Sequence, residues 1–279
     1  MTPDDQQRRG EVFARLHESG TFVIPNQWDA GTARLLTHLG FPALATTSGG
    51  LAFSLGRPDG AGRVSRDETL ANLAAIVDAT DLPVAADLES GFGDSPRDVA
   101  ETILLAARAG AVGGSIEDAT GDPDRPIADL PEAVARVSAA VEAARTLPFP
   151  FLVCARAENF LYGRADLDDT IERLLAYQAA GADVLYAPAL PGLDAVALVC
   201  STVERPVNVL AGGSSSVTVA ELAAAGVRRI SLGSSLARVA LTSAETAARE
   251  VLEHGTFGFS DNRPLTSAQL NAMWSAGPV

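Results

Sequence analysis

The sequence predicts a (β/α)8 TIM-type barrel followed by an additional C-terminal helix, and two observations carry that prediction. The phrases Ala109-Gly110-Ala111-Val112, Ala180-Gly181-Ala182-Asp183 and Ala225-Gly226-Val227-Arg228 each close an Ala-rich helical stretch and lead into an apolar run. Leu39-Gly40-Phe41-Pro42 is a looser copy. A glycine just past a helix end takes the left-handed conformation without strain, so each phrase reads as one helix-to-strand joint. Counting from Phe22, short apolar runs and helical stretches alternate eight times. The runs do not alternate polar with apolar, which implies burial on both faces and hence a parallel sheet. An open doubly wound sheet is the alternative, but it would want G-x-G-x-x-G after the first strand, and none is present.

Taken in order, a polar helix is expected over residues 5–19 and a buried first strand over 21–26, after which Asp29 caps a helix ending at Gly40. The second strand spans 43–47 and opens into a Ser48-Gly49-Gly50 loop and a connection through Leu55-Gly56-Arg57-Pro58-Asp59-Gly60. A helix over 66–80 precedes the third strand, Val84-Ala85-Ala86-Asp87-Leu88-Glu89, which breaks at Gly91 and Gly93. The remaining strands fall at 112–117, 151–155, 184–188, 207–210 and 229–232. Residues 1–254 are assigned to the barrel. Residues 255–279 are assigned to a linker and a helix over 266–274, whose Leu270, Met273 and Trp274 need an apolar partner on this body or on a neighbour.

Composition narrows the chemistry. A net charge of −14 argues against nucleic acid or an anionic membrane as a partner. All 21 basic residues are Arg. Without a lysine amine, Schiff-base and P-loop mechanisms are excluded. Cys154 and Cys200 sit in apolar runs with no Cys/His cluster, so neither a disulfide framework nor a zinc site is indicated. No run is long enough to span a bilayer, and the N-terminus lacks an apolar leader. A soluble, cytoplasmic protein acting on a small molecule is expected.

In such a barrel the strand C-termini share one face, where the chemistry sits. Asp87 and Glu89, two apart in a strand, would share a face, and Glu117 would join them from the next strand. Three carboxylates so placed repel unless one is protonated or a cation intervenes. An oxygen-only donor set with no usable His favours Mg2+, with Mn2+ as the second choice. Asp87 is the expected direct ligand, with Glu89 and Glu117 acting partly through water. Arg156 is read as the anchor for a substrate carboxylate or developing oxyanion, a role compatible with an ion pair to Glu117 or Glu158. Thr46, Thr47 and Ser48 with Gly49 offer hydroxyl and N–H donors to an anion, and Asn208 is a further substrate-binding candidate at the seventh strand. A rival reading is a phosphate-binding barrel, using Leu210-Ala211-Gly212-Gly213-Ser214 and Leu232-Gly233-Ser234-Ser235 with Arg238 nearby.

Asn26-Gln27-Trp28-Asp29-Ala30, Thr47-Ser48-Gly49-Gly50, the 55–60 connection, Asp87-Leu88-Glu89-Ser90-Gly91-Phe92-Gly93, Ile116-Glu117-Asp118 and Ala155-Arg156 also follow a known order and spacing. Over nearly its whole length the chain resembles the isocitrate lyase and phosphoenolpyruvate mutase superfamily. The resemblance implies a (β/α)8 barrel and magnesium at Asp87, Glu89 and Glu117. It also implies Asp59 on the adjoining loop, Arg156 on the substrate, Thr46 to Ser48 on a carboxylate, and 2-oxo acids or their enolates as ligands. It further implies a homo-oligomer, dimer or tetramer, with the C-terminal helix exchanged between subunits. The loop Ala119-Thr120-Gly121-Asp122-Pro123-Asp124-Arg125-Pro126-Ile127-Ala128-Asp129 departs from the pattern. It has no Cys, Lys or His, which argues against isocitrate or methylisocitrate cleavage. The missing Asn and Lys there, with Tyr186 where a His is usual, argue against the phosphonomutase branch. The reading that results is a magnesium-dependent lyase or decarboxylase making or breaking a C–C bond of a small 2-oxo acid through an enolate. Asp59 would carry the proton, with Tyr186 as the outside candidate. C–P bond chemistry and a non-catalytic oxo-acid-binding protein are the alternatives.

Overall fold

The computed structural model describes residues 1–212 and 217–275. Its eight strands are β1 (Phe22–Ile24), β2 (Leu44–Ala45), β3 (Val84–Asp87), β4 (Gly113–Glu117), β5 (Leu152–Arg156), β6 (Val184–Tyr186), β7 (Val207–Leu210) and β8 (Arg229–Ser231). All pair in parallel in the order β1-β8-β7-β6-β5-β4-β3-β2. A bridge between Asn26 and Ala45 closes β1 onto β2. The expected (β/α)8 barrel is therefore the observed one.

The helices are α1 (Pro3–Leu16), α2 (Ala30–His38), α3 (Ser48–Ser54), α4 (Arg66–Val77), α5 (Pro96–Arg108), α6 (Leu130–Arg145), α7 (Leu167–Ala179), α8 (Leu193–Thr202), α9 (Val219–Ala224), α10 (Ser235–His254) and α11 (Ser267–Ser275). The repeated joints behave as the sequence requires, since Gly110, Gly181 and Gly226 all have φ between 94 and 102°. Apolar residues from the outer faces of the strands pack under the helices in one continuous core. Two local expectations change. Residues 48–50 are not a loop but the first turn of α3, because the Thr47 hydroxyl caps it by accepting from the Gly50 N–H at 3.2 Å. The third strand stops at Asp87, and Glu89 sits in the left-handed region at φ 49°.

Register across the barrel is oblique to its axis. Glu117, Arg156, Tyr186, Asn208 and Arg229 form one row of mutual strand partners, continuing to Phe22. Glu117 is the last residue of β4, whereas Arg229 is the first of β8, so the row descends from rim to floor. This is the stagger that strand tilt imposes on a closed barrel.

Helix α1 closes the floor with Phe13 and the buried residue just after it, His17, whose ring meets Phe13 and Phe22 edge-on. Nδ1 of His17 pairs with the Phe13 carbonyl at 2.8 Å. Burial, with Arg229 and Arg228 adding to it, pulls the imidazole from 6.5 down to about 3. Above pH 6.5 both folded and unfolded chains hold this ring neutral and it has no effect on stability. Below it the unfolded chain takes up a proton that the folded one refuses, so stability falls as pH drops toward 3. One proton sets a slope of about 1.4 kcal/mol per pH unit. His17→Gln is expected to flatten the stability profile between pH 6 and 4 by about that slope, whatever it does to absolute stability. Urea denaturation at a series of pH values checks this, and parallel profiles would refute it.

Beyond the barrel, α10 buries only Ala237 among its residues, and Val239, Leu241 and Leu252 are exposed. Helix α11 lies against α2, with Arg34 Nη1 donating to the Trp274 carbonyl at 2.9 Å. Among the described residues no helix is long and apolar enough to cross a membrane.

Candidate active site

The C-terminal rim is organised around Arg156, the last residue of β5. Its guanidinium donates to Asp87 Oδ1 at 3.1 Å and Glu158 Oε1 at 2.7 Å, and its Nη2 forms an ion pair with Glu117 Oε2 at 2.9 Å. Its central carbon lies 5.2 Å from the centroid of the Tyr186 ring. The ion pair to Glu117 or Glu158 weighed from the sequence is thus both, with Asp87 added. The three carboxylates come from three adjacent strand ends, which is why a planar fork suits the position better than a point charge would.

Asp87 is fixed from several sides. Its own N–H donates to Thr46 Oγ1 at 2.8 Å, its Oδ2 accepts from the Ser48 N–H at 3.0 Å, and its Oδ1 accepts from Ser115 Oγ at 3.4 Å. Thr46, Thr47 and Ser48 line the central cavity; the Ser48 N–H is committed to Asp87, while the Thr46 and Thr47 hydroxyl oxygens accept from the Asp87 and Gly50 N–H groups. Gly49 seats the Asp59 carboxylate, because a Cβ there would lie 2.7 Å from Asp59 Oδ2. Asp59 lies on the 55–60 connection and faces the same cavity as Asp87.

Glu89 reaches the cluster by a route the sequence did not suggest. The left-handed turn, unusual for a non-glycine residue, swings it away from β3 after Leu88 has entered the core. Glu89 and Glu117 line a side recess of about 330 Å3 together with Tyr162, Thr120 and Arg66. Asp87, Asp59 and Arg156 instead face the central cavity of about 260 Å3, which also reaches Tyr186 and Asn208.

The electrostatics follow from five carboxylates, Asp59, Asp87, Glu89, Glu117 and Glu158, around a single guanidinium. Burial, then Asp87 and Asp59, pushes Glu89 from 4.5 up to about 7. Burial and Asp87 raise Asp59. Glu117 is raised well above its ordinary value by burial, which Arg156 offsets only in part. Tyr186 is also pushed upward by burial, so its hydroxyl stays protonated at neutral pH. Among the described residues, no three acidic, His or Cys side chains converge as a ready-made metal cage. The donor chemistry nonetheless fits a hard cation that keeps most of its waters, since the cluster is oxygen-only and short of positive charge.

Asp118, next to Glu117, turns the other way. Its Oδ2 accepts from Arg173 Nη1 at 3.0 Å and Tyr177 Oη at 2.7 Å, and its Oδ1 accepts from the Glu158 N–H at 2.9 Å. It therefore holds the backbone that presents Glu158 to Arg156. The divergent 119–129 loop closes on itself through the Ala119–Ile127 bridge and a Thr120 N–H to Pro126 carbonyl bond of 3.0 Å. It brings no thiol, amine or imidazole to the rim. Of the phosphate-cradle reading, Gly213 and Ser214 lie outside the described residues. At β8 the Leu232 and Gly233 N–H groups donate to Asn26 Oδ1 at 2.8 and 2.9 Å, leaving neither for a phosphate.

Three cavity residues escaped the sequence reading: Ser115, Arg229 and Cys154, the last expected in apolar surroundings but here accepting from Arg229 Nη2 at 2.9 Å. The available signal was a charged residue at an inward position of an apolar strand, two before Ser231.

Residues 13–252 match the phosphoenolpyruvate phosphomutase family. The chain belongs to that family. Within the wider isocitrate lyase and phosphoenolpyruvate mutase superfamily, it is 34% identical over 206 residues to 2-methylisocitrate lyase of Escherichia coli strain K12, covering 71% of this chain and 68% of the relative. A crystal structure from Burkholderia cenocepacia J2315, provisionally assigned as a lyase or mutase, is 55% identical, with a TM-score of 0.94 and coverage of 99% and 98%. The structure of oxaloacetate acetylhydrolase with its product oxalate has a TM-score of 0.86 at 25% identity, covering 99% of this chain and 96% of that one. The resemblance drawn from the motifs is therefore shown, and the family is one of lyases and mutases.

Proposed function

We propose that the protein is a divalent-cation-dependent lyase or decarboxylase that makes or breaks a C–C bond of a small 2-oxo acid through an enolate. The observation that carries this is Arg156, held at the rim by Asp87, Glu117 and Glu158 and facing a cavity large enough for such an acid. Magnesium, or manganese, would be held by Asp87 directly and by Glu89 and Glu117 through water. When bound, it would polarise the 2-oxo group and offset the surplus negative charge.

The chain's own residues supply the rest. Arg156 binds the substrate carboxylate and, through the same fork, meets the charge that develops when the bond beyond C3 breaks. Asp59 takes up or returns the proton, facing the same cavity as Arg156 and with its proton affinity raised by burial beside Asp87. Tyr186, kept protonated, orients Arg156 by stacking beside it. The 119–129 turn contributes no acid or base of the lyase kind, which is why proton transfer is assigned to the 55–60 connection.

Asp87→Asn is expected to lower cation-dependent turnover by about 10^3-fold while leaving the fold intact, since the amide keeps the Ser48 bond but loses the charge. The measurement is a turnover screen with magnesium against oxaloacetate, phosphonopyruvate, methylisocitrate and related acids, with circular dichroism as the fold control. Unchanged turnover in the variant would remove the metal assignment, and turnover of phosphonopyruvate alone would replace the C–C reading with C–P chemistry.

A further inference from the structure

Barrel interiors are ordinarily filled by bulky branched side chains. Here the wall from β2 to β4 is built of small residues, with Ala45, Ala85, Gly114 and Ser115 all lining the central cavity. Its volume of about 260 Å3 far exceeds the roughly 10–15 Å3 that one water needs. Across from that wall, at the low end of the oblique polar row, stands Arg229.

Arg229 is 7% exposed, and among the described residues it pairs with no carboxylate. Its Nε donates to Asn208 Oδ1 at 2.8 Å and its Nη2 to Cys154 Sγ at 2.9 Å. Asn208 is itself held by donating to Ser231 Oγ at 2.9 Å. Nη1 makes no hydrogen bond within the described protein, and it is not among the buried nitrogens sealed from access. Both partners of Arg229 are neutral, because burial pushes the Cys154 thiol up and keeps it protonated. A buried cation with only neutral partners is costly unless an anion completes it. The floor beneath is shut by Phe13 and His17, so whatever completes it enters from the rim.

We propose that this floor is a second anion subsite, in which Arg229, positioned by Asn208 and Ser231, receives the distal carboxylate of a ligand whose 2-oxo acid end lies at Arg156. The inference rests on the rim being a 2-oxo acid site and adds what that site selects: a ligand with an anionic group at each end, lying along the row from Arg156 to Arg229. Arg156 serves the reacting end, and Arg229 is a specificity residue that touches only the far end.

The test is titration calorimetry of the full chain with magnesium, comparing ligands that differ only in the far carboxylate: oxaloacetate with 2-oxobutanoate, and 2-oxoglutarate with 2-oxopentanoate. The wild type is expected to bind at least one diacid about 10- to 100-fold tighter than its matched monoacid, the range for a charge-assisted hydrogen-bonded pair. Arg229→Met should erase that preference while leaving monoacid affinity within about threefold. Ala85→Leu, which fills the cavity from the opposite wall and leaves the contacts of Arg229 in place, should erase it too and guards against a folding defect in the first variant. Equal binding of monoacids and diacids by the wild type overturns the subsite and leaves the rim reading standing. Persistence of the preference in Arg229→Met, or equal loss of both ligand classes, also overturns it. Binding of neither class overturns the rim reading, and the subsite with it.

Discussion

Arg156→Gln is expected to abolish turnover and to cost about 3–5 kcal/mol of folding stability at neutral pH, the range for removing one partner of a buried ionic cluster. Both effects have one origin. Burial opposes the charge of Arg156, yet Glu117, Glu158 and Asp87 more than offset it and hold the guanidinium protonated. Removing it leaves three largely buried carboxylates facing one another at the rim. Glu117 and Glu158, already raised by burial, would then lose the guanidinium that holds their proton affinity down, so the variant should regain stability relative to the wild type as pH falls from 8 to 5. Arg156→Lys should recover part of the stability but little of the turnover, because an ammonium cannot reproduce the fork that meets three acids and a substrate carboxylate together. Urea denaturation at pH 8, 7, 6 and 5, with turnover measured on the same samples, checks the pair. A stability gap that does not narrow with acid would refute the electrostatic account.

Asp118→Ala is expected to destabilise the fold by about 3–5 kcal/mol, although the residue touches no ligand. Asp118 is 2% exposed and answers Arg173, Tyr177 and the Glu158 N–H. Its loss takes from Arg173 its fully buried carboxylate partner, leaving Asp169 as the other, leaves the Tyr177 hydroxyl with no acceptor in this cluster, and frees the backbone that presents Glu158. A fall in turnover should accompany the lost stability, carried by a displaced Arg156. Asp118→Asn keeps the shape and one acceptor oxygen, so a smaller loss is expected. Denaturation midpoints of the two variants, read beside the kcat of the surviving folded protein, decide this. An Asp118→Ala protein as stable as the wild type would contradict the buried network.

Much of the barrel was legible because its signals are local. A glycine after an Ala-rich helix specifies a left-handed joint from one residue type, and Gly110, Gly181 and Gly226 all adopt it. Strand runs apolar on both faces announce a parallel sheet without any knowledge of partners. Ser48-Gly49-Gly50 was harder, since two glycines weaken a helix on their own. Close packing of Gly50 against Trp28 and Ala237, together with the Thr47 cap, overrides that weakness.

The acids divide in the same way. Asp87, Glu117 and Arg156 stand at consecutive strand ends, and counting strands was enough to place them on one rim. Glu89 was assigned there by a period of two that its left-handed turn breaks, and it reaches the cluster only because Leu88 is drawn into the core. Asp118 and Glu117 look equivalent in sequence, yet one faces Arg156 and the other Arg173, because neighbouring strand residues point to opposite faces of the sheet.

Local chemistry written in the chain was thus sufficient for the element order, the parallel sheet and the identity of the rim acids. The turn at Glu89, the three-way hold on Arg156 and the exposure of Arg229 to an interior cavity were decided only by tertiary packing. They depend on register around a closed barrel, where strand tilt brings the end of β4 and the beginning of β8 into one row. That row arises from the closure of all eight strands, and no single stretch of sequence contains it.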